Sequence, residues 1–203
     1  MDFPSGKKYG AILIDPPWSF RVWSEDTGAA RSPSAHYDTM TMEDIARLPV
    51  ADLAAPDCVL FCWICWPSLP EALEVIKTWD FTYKTCGFDW VKALPHDERQ
   101  QDLMEGLPPI MPKDDLGMGY WTRANTEPCL LATRGKPKRK DAGVRMLIME
   151  PRRQHSRKPD SIYERIERLV PGPYIELFAR QRREGWDSWG AEVNKFSGGR
   201  AAE

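Results

Sequence analysis

The chain has 203 residues, enough for one domain with a sizeable core, and its mean hydropathy of −0.52 is that of an ordinary soluble protein. No apolar run approaches a membrane span and the opening "MDFPSGKKYG" lacks the apolar core of a signal peptide, so a cytoplasmic protein with no membrane partner is expected. The net charge of −2 conceals an asymmetry: residues 134–183 hold 15 Lys/Arg against 6 Asp/Glu, which leaves −11 on the remainder.

In chain order, residues 9–14 read as a short buried strand that ends at Asp15. Residues 19–40 form a polar loop of a length that is usually functional or disordered. "TMEDIARLP" starts a helix, with Thr41 as its cap and Asp44 in its first turn. Residues 57–65 are a second buried strand. It carries Cys58, Cys62 and Cys65, and "CWIC" here would point its two thiols to opposite faces. With Cys86 and Cys129 the cysteines number five, and no second pair completes a zinc site, so reduced core thiols and no metal are expected.

"SLPEALEVIKTW" is amphipathic, with Leu73, Ile76 and Trp79 on one stripe, and "FTYKTCGFDWVK" is the next strand region. Residues 93–120 form a second long loop. "EPCLLATRG" and "VRMLIME" read as strands, separated by the basic loop "RGKPKRK". A helix is expected over 159–170, with Pro159 near its first turn and Gly172 beyond its end. "YIELFAR" is a further strand, and "WDSWGAEV" a final turn or helix start. The alternation predicts an α/β domain over residues 1–195, with a mostly parallel sheet, helices on both faces and a disordered tail at 196–203. Ligands of such sheets bind beyond the carboxyl ends of the strands, where Asp15 and the residues after Phe178 both lie.

The stretch "ILIDPPWSF" carries the chemistry. Proline fixes its own φ and pushes the preceding residue toward extended backbone, so Asp15 and Pro16 are held with their acceptors aimed. Trp18 adds a flat π surface. Two acceptors and a plate suit an amino group on an aromatic ring, such as that of adenine. Hydrogen bonds from that amine to fixed acceptors would relieve positive charge as its nitrogen attacks, which is electrostatic preorganisation. The competing reading is a rigid turn with a half-buried indole.

In order along the chain, "DPPW", "HYDTMT", "LFCWIC", "EPCLLATRGKP" and "HSRKPDSIYERIERLVPGPYIELFARQRREGWDSWG" resemble the MT-A70-like adenine-N6 methyltransferases. The resemblance implies a Rossmann-like methyltransferase fold, with the catalytic motif ahead of the cofactor strand, and S-adenosyl-L-methionine as cofactor. It implies that Asp15 and Pro16 accept from the target amine and that Asp15 lies near the cofactor's amino-acid end. Pro17 would shape the turn, Trp18 line the base pocket and Tyr37 help hold the adenine. Lys158 would meet the cofactor's carboxylate, and Glu176, Phe178 and Arg180 the rest of the cofactor, Arg180 at its ribose. Strand alternation would put those last three on one face. The family often has Asn where this chain has Ala191, which makes Glu192 the candidate to take over that ribose interaction. Only Asp2 and Phe3 could stand in for the upstream segment that meets the cofactor's adenine in larger members. Trp121, Lys138, Arg139 and Lys140 are candidate nucleic-acid contacts. DNA is favoured as substrate over RNA, with a non-catalytic nucleic-acid-binding subunit as the alternative from another class. A second copy of the chain is a candidate partner.

Overall fold

A computed structural model describes residues 3–18, 40–93, 121–122, 124–154 and 156–196. Asp2, residues 19–39 with Tyr37, residues 94–120 and the tail from 197 onward lie outside them.

Strand β1 (Tyr9–Ile14) alternates across the sheet: Ile12 and Ile14 enter one apolar cluster, Ala11 and Leu13 the other. Helix α1 (Met42–Ala46) starts at Thr41, whose Oγ1 accepts from the Asp44 N–H at 3.1 Å. β2 (Ala54–Trp63) is followed by a 3-10 turn at Trp66–Ser68 and by α2 (Leu69–Thr78). Next come β3 (Thr82–Ala93), β4 (Thr126–Arg134), β5 (Leu147–Pro151), α3 (Ser161–Leu169) and β6 (Tyr174–Leu177). β7 (Trp186–Trp189) corrects the expected final turn or helix start. It is a four-residue strand, extended because it pairs in parallel with β6, and its own sequence has no strand period.

The seven strands form one sheet in the order β5-β3-β4-β2-β1-β6-β7. β4 runs antiparallel to β2 and β3, and the other pairings are parallel. One face carries α1 and α2 through Ile45, Ala72, Val75, Ile76 and Trp79; the other carries α3 through Ile162, Tyr163 and Ile166. Each fully buried Leu, Ile or Phe contributes about 1.5–3 kcal/mol, so these two layers dominate the stability. The cysteines are all free, and Cys58, Cys62 and Cys129 are buried. Burial pushes the Cys58 thiol up to about 12, far from a reactive thiolate. Among the described residues no group of His, Cys, Asp and Glu could hold a metal ion, and no helix is long and apolar enough to cross a membrane.

The topology sets the site. The chain leaves β1 toward β2 and leaves β6 toward β7, although β1 and β6 are neighbours. A crevice opens where the connections diverge, at the carboxyl ends of these two strands.

Candidate active site

A concavity occupies that crevice. Its walls include Asp15 after β1, Trp63 at the end of β2, Lys158 before α3, and Glu176, Phe178 and Arg180 along and after β6. Residues far apart in the chain thus converge on one rim.

Asp15 and Lys158 meet directly, Nζ donating to Oδ2 at 2.9 Å. Lys158 also lies 3.4 Å from Glu127 Oε2, and Glu127 Oε1 takes a second ammonium, from Lys92. The four side chains are only 16–22% exposed. Burial lowers the Lys158 ammonium, but Asp15 and Glu127 outweigh it and hold it above the usual range. Burial raises the Glu127 carboxyl, and Lys158 and Lys92 bring it below its ordinary value. A lysine just ahead of a helix faces the positive end of the dipole and needs anions beside it; here they are two protein carboxylates. Glu127 opens the stretch "EPCLLATRGKP", but nothing in that stretch says that it faces Lys158. It reaches this edge because β4 runs antiparallel to β2 with Cys129 opposite Trp63.

Glu176 stands on the α3 side of the sheet and accepts from the Tyr163 hydroxyl at 2.9 Å. Burial pushes its carboxyl up to about 7, helped by Asp15 and Asp160, and opposed by the Tyr163 hydrogen bond and Arg180. β6 ends at Leu177, so strand alternation is not what brings Phe178 and Arg180 to the cavity. The chain turns instead, with Phe178 at φ 60°. Left-handed backbone in a bulky residue costs roughly 1–2 kcal/mol. Ser156, across the cavity, is also left-handed at φ 59°, and strain of this kind gathers at functional sites. Arg180 Nη2 donates to Ser156 Oγ at 3.3 Å, and its Nε lies 3.5 Å from Glu192 Oε2. Glu192 is therefore beside the arginine expected at the ribose. Gly190 is required here, since a Cβ would sit 2.5 Å from the Ala179 carbonyl oxygen. Phe3 packs edge-on against Trp189 at 4.9 Å, and Trp189 against Phe178 at 5.4 Å, so an aromatic stack ties the first described residue to the cavity wall.

The Asp-Pro-Pro-Trp turn is anchored at each step. The Pro16 carbonyl accepts from the Trp18 N–H at 2.8 Å, and the Pro17 carbonyl from the Met40 N–H at 3.0 Å. Trp18 is 4% exposed, packs in the core beside α1, and donates its Nε1–H to the Trp63 carbonyl at 2.8 Å. The turn reading of this indole describes its present surroundings better than an open stacking plate. Trp121, five residues ahead of β4, is 99% exposed.

The basic loop does not join this rim. Cys58, not Trp63, pairs with Arg134, so the loop lies at the amino-terminal edge of β2. Lys140 donates its ammonium to the Glu167 carbonyl at 2.7 Å and its N–H to the Leu169 carbonyl at 2.8 Å, at the end of α3 away from Lys158. Lys138 and Arg139 are exposed beside it.

Residues 9–192 match the MT-A70 family model. The chain is 32% identical to the type II methyltransferase M.MunI of a Mycoplasma species, over 92% of this chain and 78% of that relative. It is 29% identical to human N(6)-adenine-specific methyltransferase METTL4 and 27% identical to the human N(6)-adenosine-methyltransferase catalytic subunit METTL3. It spans only 38% and 28% of their respective lengths. With the family matched over nearly all of its described residues and a relative above 30% identity beside it, the chain belongs to the MT-A70 family of adenine-N6 methyltransferases.

Proposed function

We propose that this chain transfers a methyl group from S-adenosylmethionine to N6 of adenine in DNA. The observation that carries the reading is the 2.9 Å contact of Asp15 with Lys158 at the mouth between β1 and β6. It joins the family's catalytic tetrapeptide to the lysine expected at the cofactor.

The wall chemistry fits the cofactor. Lys158 suits its carboxylate, Asp15 its ammonium, and Glu176 and Arg180 its ribose hydroxyls. Trp63 Nε1 and Arg157 Nε are buried in the same wall without a partner among the described residues. Arg180, held beside Glu192, would take the ribose in place of the Asn that Ala191 replaces. When bound, S-adenosylmethionine supplies an electrophilic methyl group on a sulfonium. The protein's share is placement and electrostatics. The Asp15 carboxylate accepts one N–H of the target amine, and the second lone pair of the Pro16 carbonyl accepts the other. Both interactions strengthen as positive charge develops on N6. We take the sheet as the Rossmann-like methyltransferase arrangement; the adjacency of β1 with the much later β6 supports that order.

An adenine inside a duplex must be flipped out to reach this cavity, or the substrate must be single-stranded. DNA is favoured by the likeness to the type II methyltransferase, which extends over most of that relative's length. RNA is the second reading, favoured by the adenosine methyltransferase METTL3. Five free thiols suit a reducing cytoplasm, and a homodimer is the partner arrangement we propose testing by sedimentation. Matched adenine-containing DNA and RNA oligonucleotides, incubated with labelled S-adenosylmethionine, decide the substrate. N6-methyladenine is expected in the DNA. Product in RNA alone exchanges the two readings; cofactor binding without product points to a non-catalytic subunit.

A further inference from the structure

We propose that Glu127 is a positioning residue for this transfer: it anchors the Lys158 ammonium from behind, so that Asp15 can release Lys158 and turn its carboxylate to the target amine. The inference rests on the adenine-N6 reading above and gives a role to Glu127, the first residue of the "EPCLLATRGKP" stretch, to which the resemblance assigned none.

The geometry is a line of alternating charge. Lys92 from β3, Glu127 from β4, Lys158 ahead of α3 and Asp15 after β1 follow one another through three ion pairs. Lys158 thus has two carboxylates, one on the cavity side and one on the sheet side. Asp15 cannot serve the reaction while the ammonium is its only partner. Without Glu127, Lys158 would fall back on Asp15 alone, and the acceptor needed by the amine would be tied up. With Glu127 in place, Lys158 stays in the wall when Asp15 leaves it. Lys92 has the corresponding role behind Glu127, since its ammonium balances that carboxylate.

A residue that only held the fold together would behave differently. Its loss would lower stability and weaken every ligand of the site together. A positioning residue splits the two constants, with turnover falling while cofactor affinity stays.

The test uses the full chain and its isosteric variant Glu127→Gln, with Glu127→Asp as the conservative partner and a thermal melt on each. Trace acetic anhydride labelling, read at Lys158 by peptide mass spectrometry, needs no activity. Loss of one carboxylate partner frees the amine, and labelling of Lys158 is expected to rise about tenfold in Glu127→Gln, the change that one pKa unit produces. Turnover on an adenine oligonucleotide is expected to fall about 10- to 100-fold, as for a misplaced reacting group. The calorimetric Kd for S-adenosylmethionine should stay within about threefold of wild type, the signature of a split between kcat and binding. Glu127→Asp should recover part of both effects. Unchanged Lys158 labelling in a folded Glu127→Gln overturns the proposal, and so does a parallel loss of turnover, cofactor binding and thermal stability. If the wild-type chain methylates nothing, the adenine reading fails by itself, and the labelling still decides whether Glu127 anchors Lys158.

Discussion

The two edges of the sheet use charge in opposite ways. At the carboxyl-terminal edge, Lys92, Glu127, Lys158 and Asp15 come from four separate segments and are paired side chain to side chain in a place 16–22% exposed. At the amino-terminal edge, Arg134 donates to the Ala51 carbonyl at 2.8 Å and pairs with Asp80, while Lys140 caps the end of α3. The second edge contains the densest basic run in the chain, yet its charges are spent on solvent, on backbone and on an exposed ion pair. Exposed pairs of that kind contribute about 0–1 kcal/mol, whereas breaking a buried pair costs about 3–5 kcal/mol, an upper bound for side chains that keep some exposure. Charge crowded along the sequence lies here in an exposed loop, and single charges from remote segments converge at the cavity.

The sharpest way to break this contrast is Asp15→Asn. The amide keeps the shape and leaves Lys158 with Glu127, so the melting temperature should fall by less than the loss of a fully buried pair would cause. Loss of a preorganised charge at the reacting nitrogen should lower kcat by about 10²–10³ or more. Turnover near wild type in a single-turnover methylation assay would remove Asp15 from the reaction.

Glu176 sharpens the comparison, because it shares the cavity with Asp15 but its hydrogen-bond donor, Tyr163, is uncharged. Burial first, then Asp15 and Asp160, raise its carboxyl from 4.5 to about 7. The folded state therefore holds this proton more tightly than the unfolded one. The stability it contributes is complete below the ordinary carboxylate range and is lost as pH rises through about 7. The ionised form is the better acceptor for ribose hydroxyls, so cofactor affinity should move the other way and rise roughly tenfold between pH 6 and 8. Glu176→Gln should flatten both profiles, as measured by calorimetry and by thermal melts across that range. A wild-type affinity independent of pH would take Glu176 out of the cofactor site.

Much of this is legible in the residues alone. Apolar alternation marks β1, Thr41 followed by Asp44 marks the start of α1, and proline after Asp15 marks a strand end with aimed acceptors. What is illegible depends on partners. β7 is extended because β6 pairs with it, and Asp187 within it accepts from the Tyr9 hydroxyl at 2.7 Å across the sheet. Glu127 is a lone acid before a proline, and only the antiparallel register of β4 brings it to the rim. Trp18 could stack on a base or fill a core, and what buries it, the Trp63 carbonyl and α1, is not contained in the local sequence. The basic loop is half legible for the same reason: its charge is readable, its edge is not.

The smallest effect expected is at that loop. Asp15 follows β1 while Gly10 stands level with the loop's edge, a separation of roughly 17 Å for five residues of strand. A stacked strand advances about 3.4 Å per nucleotide, so two or three bases held in the cavity fall short of it, whereas a long duplex laid over the protein can reach both edges. Replacing Lys138, Arg139 and Lys140 by Ala should therefore leave kcat and the KM of a short single strand within about twofold, since no group that touches the reacting base is removed. On a duplex of several turns the same variant should bind more weakly, and its slope of log affinity against log salt should flatten by up to about 3, roughly one for each phosphate no longer neutralised. Lys140 also satisfies carbonyls at the end of α3, so a small drop in melting temperature is expected as well. If the short strand suffered as much as the long duplex, the two edges would act on the same stretch of nucleic acid, and the separation between a chemical rim and a solvated one would fail. If neither substrate responded, the loop would be a solvated turn with no role in binding, and the contrast would stand in its strongest form.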